Sequence, residues 1–90
     1  MYKIVETKIY IKKLKKFLKR HPNIFKKYEK TISLLESNPF HPSLRLHKLK
    51  GSLSEFYSVS IDMEYRIIID FIIIDEKIIL IDLGNHDEVY

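Results

Sequence analysis

Residues 55–83 read EFYSVSIDMEYRIIIDFIIIDEKIILIDL. Glu55–Asp62 alternates Tyr57, Val59 and Ile61 against Phe56, Ser58 and Ser60, which predicts a strand with one buried face. Tyr65–Ile74 is apolar on both faces except at Arg66 and Asp70, the pattern of a central strand covered on both sides. Asp75-Glu76 reads as a turn. Lys77–Leu83 is a third β-rich run, which Gly84-Asn85 is expected to stop. Breaks this short join antiparallel neighbours, so the second half of the chain reads as a three-stranded meander.

Upstream the hydrophobic period is different. Tyr2–Thr7 alternates briefly and reads as a short strand. From Ile9 onward Tyr10, Ile11, Leu14, Phe17 and Leu18 recur three and four apart among lysines, predicting an amphipathic helix that begins near Thr7 or Lys8. His21-Pro22-Asn23 ends it, because proline disfavours helical geometry in the residue before it. A second helix is expected with Ile24, Phe25, Tyr28, Ile32 and Leu35 as its inward stripe, closing at Asn38-Pro39. Phe40–Gly51 (FHPSLRLHKLKG) then reads as a connector anchored by Leu44, Leu46 and Leu49. The order β-α-α-β-β-β predicts an α+β fold: a four-stranded sheet, its first strand free to lie parallel to a neighbour, with both helices on one face. Polar residues on the opposite face, namely Ser58, Ser60, Arg66 and Asp82, become the ones to examine.

Ninety residues with 46% apolar content, two Gly and three Pro make a small folded unit, and residues 1–90 are expected to form a single domain. With no cysteine in the chain, disulfides, thiolate metal sites and a cysteine nucleophile are excluded, which suits a reducing cytoplasm. Neither a signal peptide nor a membrane span is expected, since the N-terminus lacks an apolar segment and the longest apolar run is broken by Asp70. The net charge of +4 conceals an asymmetry: residues 1–50 hold 14 Lys/Arg against 3 Asp/Glu, a balance of +11, while residues 51–90 hold 2 against 9, a balance of −7. A basic half of this strength points to nucleic acid or an acidic protein partner; the alternative is a solvated lysine-rich helix surface.

Four elements carry possible chemistry. Arg45, His47, Lys48 and Lys50 project from a leucine-anchored loop and could grip phosphates, with His47 able to exchange protons near neutrality; a plain basic loop is the alternative. Arg66, on an otherwise apolar strand, must reach a phosphate, a carboxylate or solvent, and an ion pair to Asp62, Glu64 or Asp82 would be a structural use of it. The ending His86-Asp87-Glu88-Val89-Tyr90 could offer proton transfer and a stacking ring, or could be a frayed terminus. His21 and His41, each beside a proline, are assigned no role. Four scattered histidines lack metal-ligand spacing, so no metal and no other cofactor is expected.

The run LHKLKG, the strand FYSVSID, then YRIIIDFI, an acidic turn and KIILIDLGNHDEVY, all behind a basic helical hairpin, resembles the RelE/ParE superfamily of bacterial toxins along the whole chain. The His47 and His86 pair is similar to the YafQ-like branch, and the YR strand and EVY ending to RelE itself. The resemblance implies a microbial-RNase-like fold. It also implies a toxin of a type II toxin-antitoxin system that enters the ribosome and cuts mRNA, without a metal, by driving a ribose 2′-OH onto the adjacent phosphate. His86 is then the leading acid/base, His47 its partner, Arg66 the cation beside the phosphate and Tyr90 the stacking ring. Arg45, Lys48, Lys50, Lys12, Lys13 and Lys16 would hold RNA. The implied partners are an acidic antitoxin, the ribosome and mRNA.

The chain departs from the family pattern at Ser58 and Ser60, where RelE carries lysines and the YafQ-like branch a histidine near the second position. That departure leaves two alternatives beside the nuclease: a ParE-like inhibitor of DNA gyrase, and a non-catalytic interaction protein of the same fold.

Overall fold

The structure, a computed structural model, describes residues 1–72, 75–85 and 89. Strand β1 (Lys3–Glu6) leads into helix α1 (Lys8–Arg20), and helix α2 (Phe25–Ser37) follows after a short 3-10 turn at Pro22–Ile24. The remaining strands are β2 (His47–Lys48), β3 (Tyr57–Ser60), β4 (Tyr65–Ile72) and β5 (Lys77–Asn85). They form one sheet in the order β1-β5-β4-β3-β2, in which β1 runs parallel to β5 and every other pairing is antiparallel.

Local chemistry explains the helix ends. Thr7 takes extended geometry and its hydroxyl accepts the Tyr10 amide at 3.1 Å, capping α1. At the other end the His21 amide donates to the Phe17 carbonyl, and Lys19 and Arg20 lie in the last turn, where cations suit the helix dipole. The Asn38 amide closes α2 on the Leu34 carbonyl at 2.7 Å, just before Pro39.

The core lies between both helices and one face of the sheet. Tyr10 and Phe17 from α1, and Ile24, Tyr28 and Leu35 from the second helical segment, pack on Val59, Ile67, Ile69, Ile78, Leu80 and Leu83. The α+β architecture, the helical hairpin and the meander are therefore as the periodicity predicts.

Several particulars differ from the expectation. The sheet has five strands and not four: His47–Lys48, read as connector, pairs with Ser58 and Tyr57, and the Leu49 amide donates to the Phe56 carbonyl at 3.0 Å. Two residues are too short for alternation to show in a sequence. The β3 strand begins at Tyr57, not Glu55, because Gly51–Leu53 forms a 3-10 turn in which Gly51 takes φ 71°, a conformation costly for side-chain-bearing residues. Gly84-Asn85 does not stop the last strand but continues it, opposite Arg66 and Tyr65. In α2 the inward stripe includes Thr31 in place of Phe25, which is exposed.

Asp82 lies opposite Ile68, on the face expected of it, and it does so through a bulge. The β4–β5 register slips between Ile68 and Ile69, so Ile68 faces Asp82 while Ile69 faces Leu80, and Ile81 is the extra residue. This bulge carries Leu83 onto the core side with Ile78 and Leu80, although strict alternation from Leu80 would turn Asp82 inward instead. Asp82 meets Lys13 of α1 at 3.4 Å.

Candidate functional site

The face of the sheet away from the helices can be read from the register. His47 lies opposite Ser58, which lies opposite Ile68; two residues further along β3, Ser60 lies opposite Arg66, which lies opposite Gly84. Side chains alternate along a strand, so these two rows share one face. That face is not uniformly open. Ser58 and Ile68 are fully buried and Ser60 nearly so, whereas Arg66 is half-buried and His47 exposed.

Arg66 is held by its neighbour: Nη1 donates to Ser60 Oγ at 2.6 Å. Two of the three carboxylates weighed from the sequence are occupied elsewhere, Asp62 by Lys27 at 3.6 Å and Asp82 by Lys13 at 3.4 Å. Asp62 also caps the β3–β4 turn, accepting the Glu64 and Tyr65 amides at 2.8 Å each. Among the described residues no carboxylate pairs with Arg66, so the structural ion pair weighed from the sequence is not made there. One side of the guanidinium fork is oriented by a neutral hydroxyl, its hydrogen-bond partner among the described residues.

His47 is oriented by the backbone. Its Nδ1 lies 3.0 Å from the Arg45 carbonyl, and a carbonyl only accepts, so Nδ1 is the donor. Arg45 itself takes φ 50°, ψ 45°, a left-handed conformation that costs a non-glycine residue on the order of 1 kcal/mol and turns its carbonyl toward the imidazole. With strands about 4.8 Å apart and about 3.3 Å per residue along them, the His47 and Arg66 Cα atoms are roughly 12 Å apart. A span of that size leaves room for a phosphate between two such side chains.

The other expected site residues divide into two sets. Arg45, Lys48 and Lys50 are exposed beside His47 at the β2 edge. Lys12, Lys13 and Lys16 are exposed on α1, which packs on the opposite side of the sheet, so they do not join His47 and Arg66 in one cluster. His86 and Tyr90 lie outside the described residues; Val89 between them is buried. Among the described residues no three His, Asp or Glu side chains converge as a metal-ligand set. Again among the described residues, no helix is long and apolar enough to cross a membrane.

Sequence reasoning missed two partners. Ser60 was conspicuous only as a polar residue on an apolar strand, and its bond to Arg66 depends on β3–β4 register. His21, given no role, has Nδ1 3.2 Å from the Tyr65 hydroxyl, 44 positions away along the chain, and no local pattern signals it.

Residues 2–90 match the family model described as the bacterial toxin of type II toxin-antitoxin systems, YafQ. Among solved structures, YafQ from E. coli strain BL21(DE3) superposes with a TM-score of 0.81 at 18% identity over 100% of this chain and 99% of that one. The metal-bound toxin from Helicobacter pylori gives 0.79 at 25% identity, covering 100% of both chains. The E. coli DinJ-YafQ complex gives 0.79 at 18% identity, again over 100% of this chain and 99% of that one. No curated protein sequence matches the chain.

Proposed function

We propose that this chain, which belongs to the YafQ family of bacterial toxins of type II toxin-antitoxin systems, is a ribosome-dependent mRNA endonuclease neutralised by an acidic antitoxin. The observation that carries the reading is the shared sheet face on which Arg66, fixed by Ser60 and engaged by no carboxylate among the described residues, lies within reach of a backbone-oriented His47. Such an arrangement suits a phosphodiester under attack, where a cation stabilises charge growing on the phosphate oxygens and an imidazole moves a proton. His86 is the leading acid/base in this reading. It would exchange the proton of the 2′-hydroxyl or of the departing 5′-oxygen, with His47 as its partner and Tyr90 stacking on the base. Arg45, Lys48 and Lys50 would hold the RNA backbone beside His47, and Lys12, Lys13 and Lys16 would contact ribosomal RNA. No metal is needed for this chemistry.

A partner follows from the family and from the charge. DinJ-YafQ is a complex in E. coli, and the basic half of this chain fits an acidic amphipathic segment.

Inducing the protein without its partner tests the whole reading. Growth arrest with new mRNA ends, mapped by primer extension and abolished when translation is blocked, is the expected result. Intact mRNA with gyrase-linked DNA breaks would move the protein to the ParE-like alternative, and absence of both would leave an interaction module.

A further inference from the structure

A recess of about 250 Å3 opens between the second half of α1 and the end of β5, away from the His47–Arg66 face. Phe17 and Leu83 form its apolar floor, and both are buried. Lys13, Lys16, Arg20 and His21 line its walls, opposed by one carboxylate, Asp82, which Lys13 already engages at 3.4 Å. His21 is fixed there: its ring lies 4.9 Å from Phe17 and 4.8 Å from Tyr65, and its Nδ1 is 3.2 Å from the Tyr65 hydroxyl.

The position of the recess along the sheet matters as much as its charge. Tyr65 and Arg66 are adjacent on β4 and face Asn85 and Gly84 of β5. Their side chains alternate, so His21, bonded to Tyr65, and the Arg66 guanidinium belong to the same end of the β4–β5 ladder on opposite faces. The parallel strand β1 pairs with β5 only as far as Leu80, short of this end. A volume below the roughly 300–1,000 Å3 of ordinary small-molecule pockets suits one unit of a larger polyanion better than a whole ligand.

We infer that this recess binds a backbone phosphate of single-stranded RNA through Arg20 and His21, with the adjoining ribose or base resting on Phe17 and Leu83. Taken with the ribonuclease reading, on which this assignment rests, the phosphate belongs to the strand that is cleaved. Tyr65 acts as a positioning residue that holds the His21 ring.

Nuclear magnetic resonance titration of the intact protein tests this. The probes are a trinucleotide RNA made uncleavable by 2′-O-methyl groups, adenosine 5′-monophosphate, and tetraglutamate. The trinucleotide should shift the His21 and Tyr65 signals. Arg20→Gln, at an exposed position that leaves the fold intact, should weaken it about tenfold, as losing a charge-assisted contact does. The same variant should reduce the slope of log affinity against log salt by about 0.7. Shifts confined to His47 and Arg66, unchanged by Arg20→Gln, would overturn the recess while leaving the ribonuclease reading intact. An equal response to the mononucleotide would mean a free-phosphate site, and a response to tetraglutamate alone an acidic-protein site; either overturns the RNA assignment. Trinucleotide binding at His21 with mRNA left uncut in cells supports the recess and removes the ribonuclease reading.

Discussion

Arg66 and His47 are each held by a neighbouring group. The Ser60 hydroxyl accepts from the Arg66 guanidinium at 2.6 Å, so Ser60→Ala frees a half-buried fork without emptying the site of charge. RNA cleavage is expected to fall roughly tenfold, with a stability change below about 1 kcal/mol because the freed donor turns to water; single-turnover assays beside thermal melts would separate the two effects. His86→Ala is expected to abolish growth arrest at an unchanged melting temperature, since loss of a general acid or base removes roughly 10²–10⁴-fold of rate. His47→Ala should reduce the arrest in part. Full toxicity of His86→Ala, with Arg66→Ala or Tyr90→Ala inert, would place the burden of catalysis on charge and orientation.

Between elements, the two helices are joined by a buried pair of hydroxyls, Tyr10 and Tyr28, 2.8 Å apart. Tyr10→Phe alone strands the Tyr28 hydroxyl and is expected to cost about 1–3 kcal/mol, whereas Tyr10→Phe with Tyr28→Phe removes both polar groups and should recover much of it. Chemical denaturation of the single and double variants checks this. Burial pushes the Tyr28 hydroxyl up to about 12 and the Tyr10 hydroxyl further, with Tyr28 itself adding to the effect on Tyr10. An unfolded tyrosine ionises near 10. The folded chain therefore holds protons that the unfolded chain gives up, and the associated stability, complete below pH 10, drains as pH rises toward and beyond 12. The decline approaches about 1.4 kcal/mol per pH unit for each group. Melting temperatures measured from pH 9 upward should fall more steeply in the native chain than in the double phenylalanine variant.

Across the whole molecule the +11 and −7 halves of the chain fold together, so the positive charge is concentrated on α1, its neighbour α2 and the β2 edge. If Lys12, Lys13 and Lys16 make three phosphate contacts with ribosomal RNA, affinity for ribosomes should drop roughly 40-fold between 50 and 200 mM salt. Replacing the three by alanine should flatten that dependence, as ribosome co-sedimentation would show. A salt response unchanged by the triple substitution would remove α1 from the RNA-binding surface.

Periodicity, caps and charge are properties of neighbouring residues, which is why the helical hairpin, the central strand YRIIIDFI, the chain's basic half and the prominence of His47 and Arg66 could be read from the amino-acid order alone. Thr7 and Pro22 mark the limits of α1 through local hydrogen bonding and sterics, and no tertiary contact is needed to place them. Other features depend on register and so exist only once distant segments pair. The two-residue strand at His47 forms because Ser58 and Tyr57 offer a free edge, and the bulge at Ile81 sets Asp82 and Leu83 on the faces opposite to those that strict alternation from Leu80 would give them. Ser60 becomes the partner of Arg66 across β3 and β4, and His21 meets Tyr65 from 44 residues away. A one-residue change of register would break each of these contacts while leaving every local pattern in the sequence as it is.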